Sequence, residues 1–277
     1  MITGSQALLP AVRRLRDAGI EGAAGDARRL MAWAMGIGSD RLTLVLPETL
    51  SKEAQARFEA AVQRRLAREP VSHIIGFRAF YGRNFIVGPD VLDPRPETET
   101  LVEHALSAPF TRLLDLGCGS GAIVLTLLAE CPDSTGVGCD LSDAARQMAQ
   151  QNATALAVAE RVDLIASDWF SEVTDQFDLI VSNPPYISAA EMQHLSPEVL
   201  RHEPHIALSP GGDGLEAYRQ ICAQSGPYLA PGGRLLFEIG PTQAKAVAGL
   251  MTAAGLSDIL VLPDLDGRDR VLSGIKP

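Results

Sequence analysis

Cysteine is scarce in this chain and carries no metal or disulfide pattern. Cys118, Cys131, Cys139 and Cys222 form no C-x-x-C pair among 277 residues, so neither a disulfide framework nor a zinc cluster is indicated. His202-Glu203-Pro204-His205 resembles ligand spacing only superficially, because Pro204 breaks any helix there and no partner cluster lies nearby. Long apolar runs are missing too: none approaches the roughly 18 residues of a membrane span. Met1-Ile2-Thr3-Gly4-Ser5-Gln6 has no basic stretch leading into an apolar core, which predicts a cytoplasmic protein. No internal repeat or low-complexity tract is visible. A basic excess is also lacking, since the net charge is −10. A duplex nucleic-acid substrate calls for a basic surface facing phosphates, so direct nucleic-acid binding is not expected and a basic protein partner fits better.

Hydrophobic residues make up 46% of the chain, enough for a real core in one large domain or two unequal ones. The charge is unevenly spread: residues 1–75 hold 11 Lys+Arg against 8 Asp+Glu, a net of +3, and the remainder 13 against 26, a net of −13. Over the first 70 or so residues Leu8, Leu9, Val12 and Leu15 recur at helical spacing. Asp26 is placed to cap a segment burying Leu30, Trp33 and Ala34, and Ser51 another carrying Phe58, Val62 and Leu66. Arg13, Arg14, Arg16, Arg28, Arg29, Arg64, Arg65 and Arg68 read as solvated helix faces. Gly76 to Val87, aromatic and turn-rich, predicts a β-hairpin, and from Thr111 strands and helices alternate as in a mostly parallel α/β sheet. The expected organisation is a helical substrate-docking domain over 1–73, a hairpin linker over 74–95 and a catalytic domain over 96–277.

Three strand ends carry the chemistry. Arg112 to Leu116 runs into Gly117-Cys118-Gly119-Ser120-Gly121 ahead of a helix, a turn whose glycines let backbone approach a ligand closely. The spacing is G-x-G-x-G rather than the G-x-G-x-x-G of dinucleotide sites, which favours S-adenosylmethionine over NAD. Cys118 at the helix start is either a small residue fitting a tight loop or a somewhat acidified thiol. Gly136 to Asp140 ends in a carboxylate placed to take ribose hydroxyls, and Val162 to Ala166 ends at Ser167-Asp168-Trp169, a polar group and an aromatic face for an adenine ring.

The most informative element is Asn183-Pro184-Pro185-Tyr186, which follows the apolar strand Phe177 to Val181. Two prolines fix φ and remove two N–H donors, leaving a rigid corner rich in acceptors. The Asn183 side-chain oxygen and the Pro184 carbonyl each suit one N–H of a planar NH2 group, with the Tyr186 ring over its face. The guest is an amide or an exocyclic amine.

In this order the loop, the acid and the corner resemble the PrmC/HemK family, S-adenosylmethionine-dependent methyltransferases that modify the glutamine of class 1 peptide chain release factors. The likeness covers nearly the whole chain. It includes Asp93-Pro94-Arg95-Pro96-Glu97-Thr98-Glu99, Glu203 to Leu208, Gly212 to Leu215, Phe237-Glu238-Ile239-Gly240 and Asp266 to Arg270; Asp93 and His205 depart from the family pattern. The resemblance implies a Rossmann-like seven-stranded sheet with its last strand antiparallel, a small all-α amino-terminal domain and a target glutamine in a Gly-Gly-Gln loop. It further implies S-adenosyl-L-homocysteine as product, with Arg95 and Glu97 lining the cleft or bracing the corner; a monomer is expected, though nothing in the residues fixes the oligomeric state. Rival readings are a ribosomal-protein glutamine methyltransferase, an adenine-N6 nucleic-acid methyltransferase and a regulatory module that binds the same cofactor.

Overall fold

The computed structural model describes residues 2–277. It divides into two compact units, residues 2–77 with 196–202, and residues 78–195 with 203–277.

The first unit is helical. Thr3 opens helix Gly4–Asp17 with a reciprocal capping box to Gln6, and Ser51 caps helix Lys52–Leu66 by accepting from the Ala54 N–H, each satisfying donors that the first turn leaves unpaired. The apolar stripes meet in a core of Leu8, Leu15, Leu30, Met31, Phe58 and Val62. Asp26 is not a cap. Helix Ala23–Met35 begins three residues earlier, after Gly22 in the left-handed conformation, and Asp26 is buried inside it. Its carboxylate accepts from Arg65 Nε at 2.8 Å and from Arg29 at 2.7 Å. Arg65 is therefore not a solvated helix face: it is 6% exposed and also reaches Glu198 at 3.1 Å, as Arg68 does at 3.2 Å. Glu198 sits on the short helix Pro197–His202. Those two ion pairs give residues 196–202 a reason to belong with the helices rather than with the chain on either side.

In the second unit, hairpin strands β1 (Phe77–Phe80) and β2 (Arg83–Ile86) set Phe80 against Phe85 edge to face, 6.0 Å between centroids. Asn152 binds both the N–H and the carbonyl of Ile86, and the carbonyl of Ser120, so one buried amide fastens the hairpin to the glycine loop. The hairpin expected as a linker is thus built into this unit, apart from Phe77.

Seven strands follow: β3 (Arg112–Leu116), β4 (Thr135–Asp140), β5 (Val162–Ala166), β6 (Phe177–Ser182), β7 (Leu229–Glu238), β8 (Ser257–Pro263) and β9 (Asp269–Ile275). Their order is β5-β4-β3-β6-β7-β9-β8, parallel except for β9, which runs antiparallel between β7 and β8. This is the doubly wound sheet expected, last strand reversed. Strand order switches direction at β3 and β6, where such sheets open a crevice beyond the strand ends. Helix Ala122–Glu130, apolar on nearly every face, is buried where it crosses the sheet.

Removing one member of a buried ion-pair network leaves the remaining charges less well compensated. Arg65→Ala leaves Asp26 with Arg29 alone and Glu198 with Arg68 alone, and is expected to lower the stability of the helical unit by about 1–3 kcal/mol, read from urea unfolding followed by the fluorescence of Trp33. A loss below 1 kcal/mol would mean that Arg29 alone suffices for Asp26.

Candidate active site

The register of the parallel ladder makes one row of the strand ends. Leu116 pairs with Cys139 on one side and with Ser182 on the other, and Ser182 pairs with Phe237. The next residues along are Gly117, Asp140, Asn183 and Glu238, drawn from stretches far apart in sequence. A cleft of about 300 Å³ opens over this row. Its lining includes Gly117, Cys118, Gly119, Ser120, Asp140, Asp168, Trp169, Asn183, Pro185 and Arg95. Gly121, Pro184, Tyr186 and Glu97, also expected at the site, stand outside that lining.

Gly117 and Gly119 have φ of +73° and +55°, which only glycine adopts readily. The loop's donors, however, turn inward. Gly117 and Cys118 N–H both go to the Cys139 carbonyl at 2.9 Å, Gly119 N–H to Asp140 Oδ2 at 2.9 Å, and Gly121 N–H to the Cys118 carbonyl at 2.8 Å. Such a loop offers closeness of approach more than an anion cradle, which suits a ligand without phosphate at this point. Gly121 has a packing role: a Cβ there would lie 2.7 Å from Leu125 Cδ1. Cys118 is no acidified thiol, since burial pushes it well above its ordinary value and the nearby carboxylates add to that.

Asp140 accepts one N–H on each oxygen, from Gly119 and from Ser142. Each carboxylate oxygen keeps a second lone pair, so hydroxyl recognition remains open to it. Trp169, at φ +49°, is held by its indole N–H to Gln220 Oε1 at 2.9 Å. These groups fit an adenosine moiety. Leu141 and Ile206, 59% and 66% exposed, line the same cleft and were not foreseen from sequence.

The corner at the end of β6 is braced from several directions. Asn183 Nδ2 donates to Thr98 Oγ1 at 3.4 Å, and Thr98 donates to Glu238 Oε2 at 2.5 Å. Tyr186 points its hydroxyl at Glu238 Oε1, 3.3 Å away, and its ring packs against the core rather than lining the cleft. Burial raises both the Tyr186 phenol and the Glu238 carboxyl; Arg270 opposes the rise at each. Gln243 Nε2 donates to the Tyr186 carbonyl at 2.9 Å. Arg95 clasps the buried Glu203 through both carboxylate oxygens, at 2.6 and 2.7 Å, and so braces the loop that carries Pro204 and Ile206. Thr98 and Glu238 lie in stretches that carry the resemblance, but no site role was assigned to them or to Gln243, because the contacts that join them to the corner form only in the fold.

The model named Methyltransferase small domain matches residues 90–215, and a crystal structure of a methyltransferase from Pyrococcus furiosus shares the fold at TM-score 0.54, with 15% identity, over 79% of this chain and 97% of that one. Fold and site together define a methyltransferase. The PrmC N-terminal domain matches residues 6–76. Release factor glutamine methyltransferases from Cereibacter sphaeroides and Rhodospirillum rubrum are 59% and 44% identical to it, over 99% and 94% of this chain and 98% and 81% of theirs. The chain belongs to the release factor glutamine methyltransferase family.

Two outcomes test this geometry. Gly214 lies at φ +79°, and a Cβ there would sit 2.3 Å from the Tyr186 carbonyl oxygen. Gly214→Ala is therefore expected to displace the corner and cut methyl transfer at least about tenfold while costing about 1–3 kcal/mol in thermal stability. Separately, Asp115 on β3 is fully buried, and desolvation lifts it to about 7 against the Val124 N–H, with Asp140 adding to the rise. Between its unfolded value near 4 and about 7 the folded protein keeps a proton that the unfolded chain has released, so stability falls as pH rises through that window. Asp115→Asn should flatten this fall in melting curves recorded from pH 4 to 7. An unchanged slope would mean that Asp115 is ionised in the folded state.

Proposed function

We propose that this chain transfers a methyl group from S-adenosylmethionine to the side-chain amide nitrogen of the glutamine in the Gly-Gly-Gln loop of class 1 release factors. The observation that carries the reading is the position of Asn183: it follows a strand end in the same row as Gly117 and Asp140, lines their cleft, and has its NH2 engaged by Thr98. That engagement leaves its oxygen as the group to meet an incoming N–H. The cofactor, when bound, supplies an electrophilic methyl on a sulfonium; Asp140 suits its ribose hydroxyls, and Trp169 with Asp168 its adenine.

A glutamine amide nitrogen is a poor nucleophile because its lone pair is delocalised into the carbonyl. Deprotonating it beforehand is costly at neutral pH, and the reading assigns no strong base. Instead the Asn183 oxygen and the Pro184 carbonyl hold its two N–H groups and orient the nitrogen for attack, a positional contribution that needs a rigid support. Two prolines give that rigidity, and Tyr186 serves from behind, through Glu238, rather than as a cover over the guest. The proton leaves late, to water. The helical unit is assigned the docking of the large folded substrate, and a soluble, cytoplasmic, monomeric enzyme is the setting; among the described residues no helix is long and apolar enough to cross a membrane.

Asn183→Ala is expected to lower single-turnover methyl transfer by about 10²–10³-fold, as for loss of one preorganised hydrogen-bonding group, with much less change in cofactor affinity by calorimetry. An undiminished rate would end the proposal. Substrate identity is read by incubating the enzyme and radiolabelled cofactor with release factor, a Gln-to-Ala version of its loop, ribosomal protein and adenine-containing DNA. Label is expected only in the intact release factor; label in the Gln-to-Ala protein or in DNA would overturn the assignment.

A further inference from the structure

We propose that Glu238, acting through Thr98, sets the direction in which the Asn183 amide faces and so is a positioning residue that makes this corner select a substrate donor rather than an acceptor. The inference rests on the reading of Asn183 given above and extends it to two residues outside the hydrogen-bonding pair.

Glu238 is 1% exposed at the end of β7, and Thr98 is 3% exposed in the turn Pro96–Thr98. A carboxylate has acceptors only, and a threonine hydroxyl has one proton. With that proton given to Glu238 Oε2, Thr98 meets Asn183 with a lone pair and takes the Nδ2 N–H. The amide is thereby turned so that its oxygen leads away from Thr98. In the flipped orientation two lone pairs would oppose each other in a partly buried contact, and NH2 would face the incoming NH2 of the substrate, a second mismatch. The polarity of the whole chain is thus set at its far end by Glu238 Oε2, which takes the Thr98 proton. The second oxygen of Glu238 faces the Tyr186 hydroxyl, so the same carboxylate references both ends of the Asn-Pro-Pro-Tyr corner. Arg270 lends its charge against the upward pull of burial on Glu238, while its own guanidinium is held by Asp264 and the Ile239 carbonyl.

Glu238→Gln keeps the volume but replaces one acceptor with an NH2 donor, so Thr98 no longer faces a group whose every orientation accepts its proton. Single-turnover kcat on release factor should fall about 10–100-fold, with KM for the protein and calorimetric affinity for S-adenosylhomocysteine within about threefold of the parent, as for an interaction that orients rather than binds. Thr98→Val should fall similarly, and Thr98→Ser, which keeps the hydroxyl, should return to within about threefold of the parent; a serine variant as slow as the valine one would place the effect in packing and overturn the proposal. Because Thr98 acts through Asn183, adding Thr98→Val to Asn183→Ala should slow the enzyme little further. A large additional loss in the double variant would also overturn it. Asn183→Ala in the same assay separates the two ideas: full activity there defeats the reading of Asn183 itself, whereas a crippled Asn183→Ala beside unimpaired Glu238→Gln and Thr98→Val defeats only the proposal made here. Thermal melting of every variant guards against misfolding as the cause.

Discussion

The in-register parallel pairing of β3 with β4 and β6, and of β6 with β7, is the constraint on which the site depends. Nothing in the local sequence of Gly117, Asp140, Asn183 or Glu238 brings them together; the ladder does, because each follows or ends a strand at the same level. A slip of one residue in β6 would reverse the faces of its side chains and carry the corner with it. The buried aliphatic strands therefore serve as the ruler for the chemistry. Leu113, Leu114, Ile180 and Val181 are fully buried between helices, and this burial specifies the register.

Around that row the protein has arranged three kinds of support, each matched to what it holds. Glycines with positive φ leave the backbone bare beside the cleft at Gly117 and Gly119, and give the Tyr186 carbonyl room at Gly214. Prolines fix the corner without needing partners. Buried polar side chains that are satisfied among themselves, Asn152 beneath the glycine loop and Glu238 behind the corner, supply direction, which neither glycine nor proline can. A neutral amide substrate rewards this last kind of support, since it offers no charge to steer it and only the placement of donors and acceptors can tell its nitrogen from its oxygen.

Much of this was legible in the sequence because it is local. The strands around the glycine loop, Asp140 and the Asn-Pro-Pro-Tyr corner are short patterns whose meaning lies in adjacent residues, and the reversal of the last strand followed from resemblance. What could not be read was the pairing of residues far apart. Asp26 carries every local mark of a helix cap, yet its partner Arg65 is 39 positions away and draws it inward. Thr98 and Glu238 are 140 positions apart and meet only once the sheet is formed. The inward-facing N–H groups of the glycine loop are a similar case: periodicity locates the loop but not the carbonyl of Cys139, which comes from the neighbouring strand.

That self-contained loop has a consequence for turnover. A group-transfer enzyme must release a spent small molecule and admit a fresh one in every cycle, and a floor built from ligand-dependent hydrogen bonds would loosen each time. Here the backbone donors of Gly117, Cys118 and Gly119 are bonded to Cys139 and Asp140, inside the protein, so none of them needs a ligand as its partner. The cleft can swap its occupant as a socket swaps a bulb, its shape held by the wall around it.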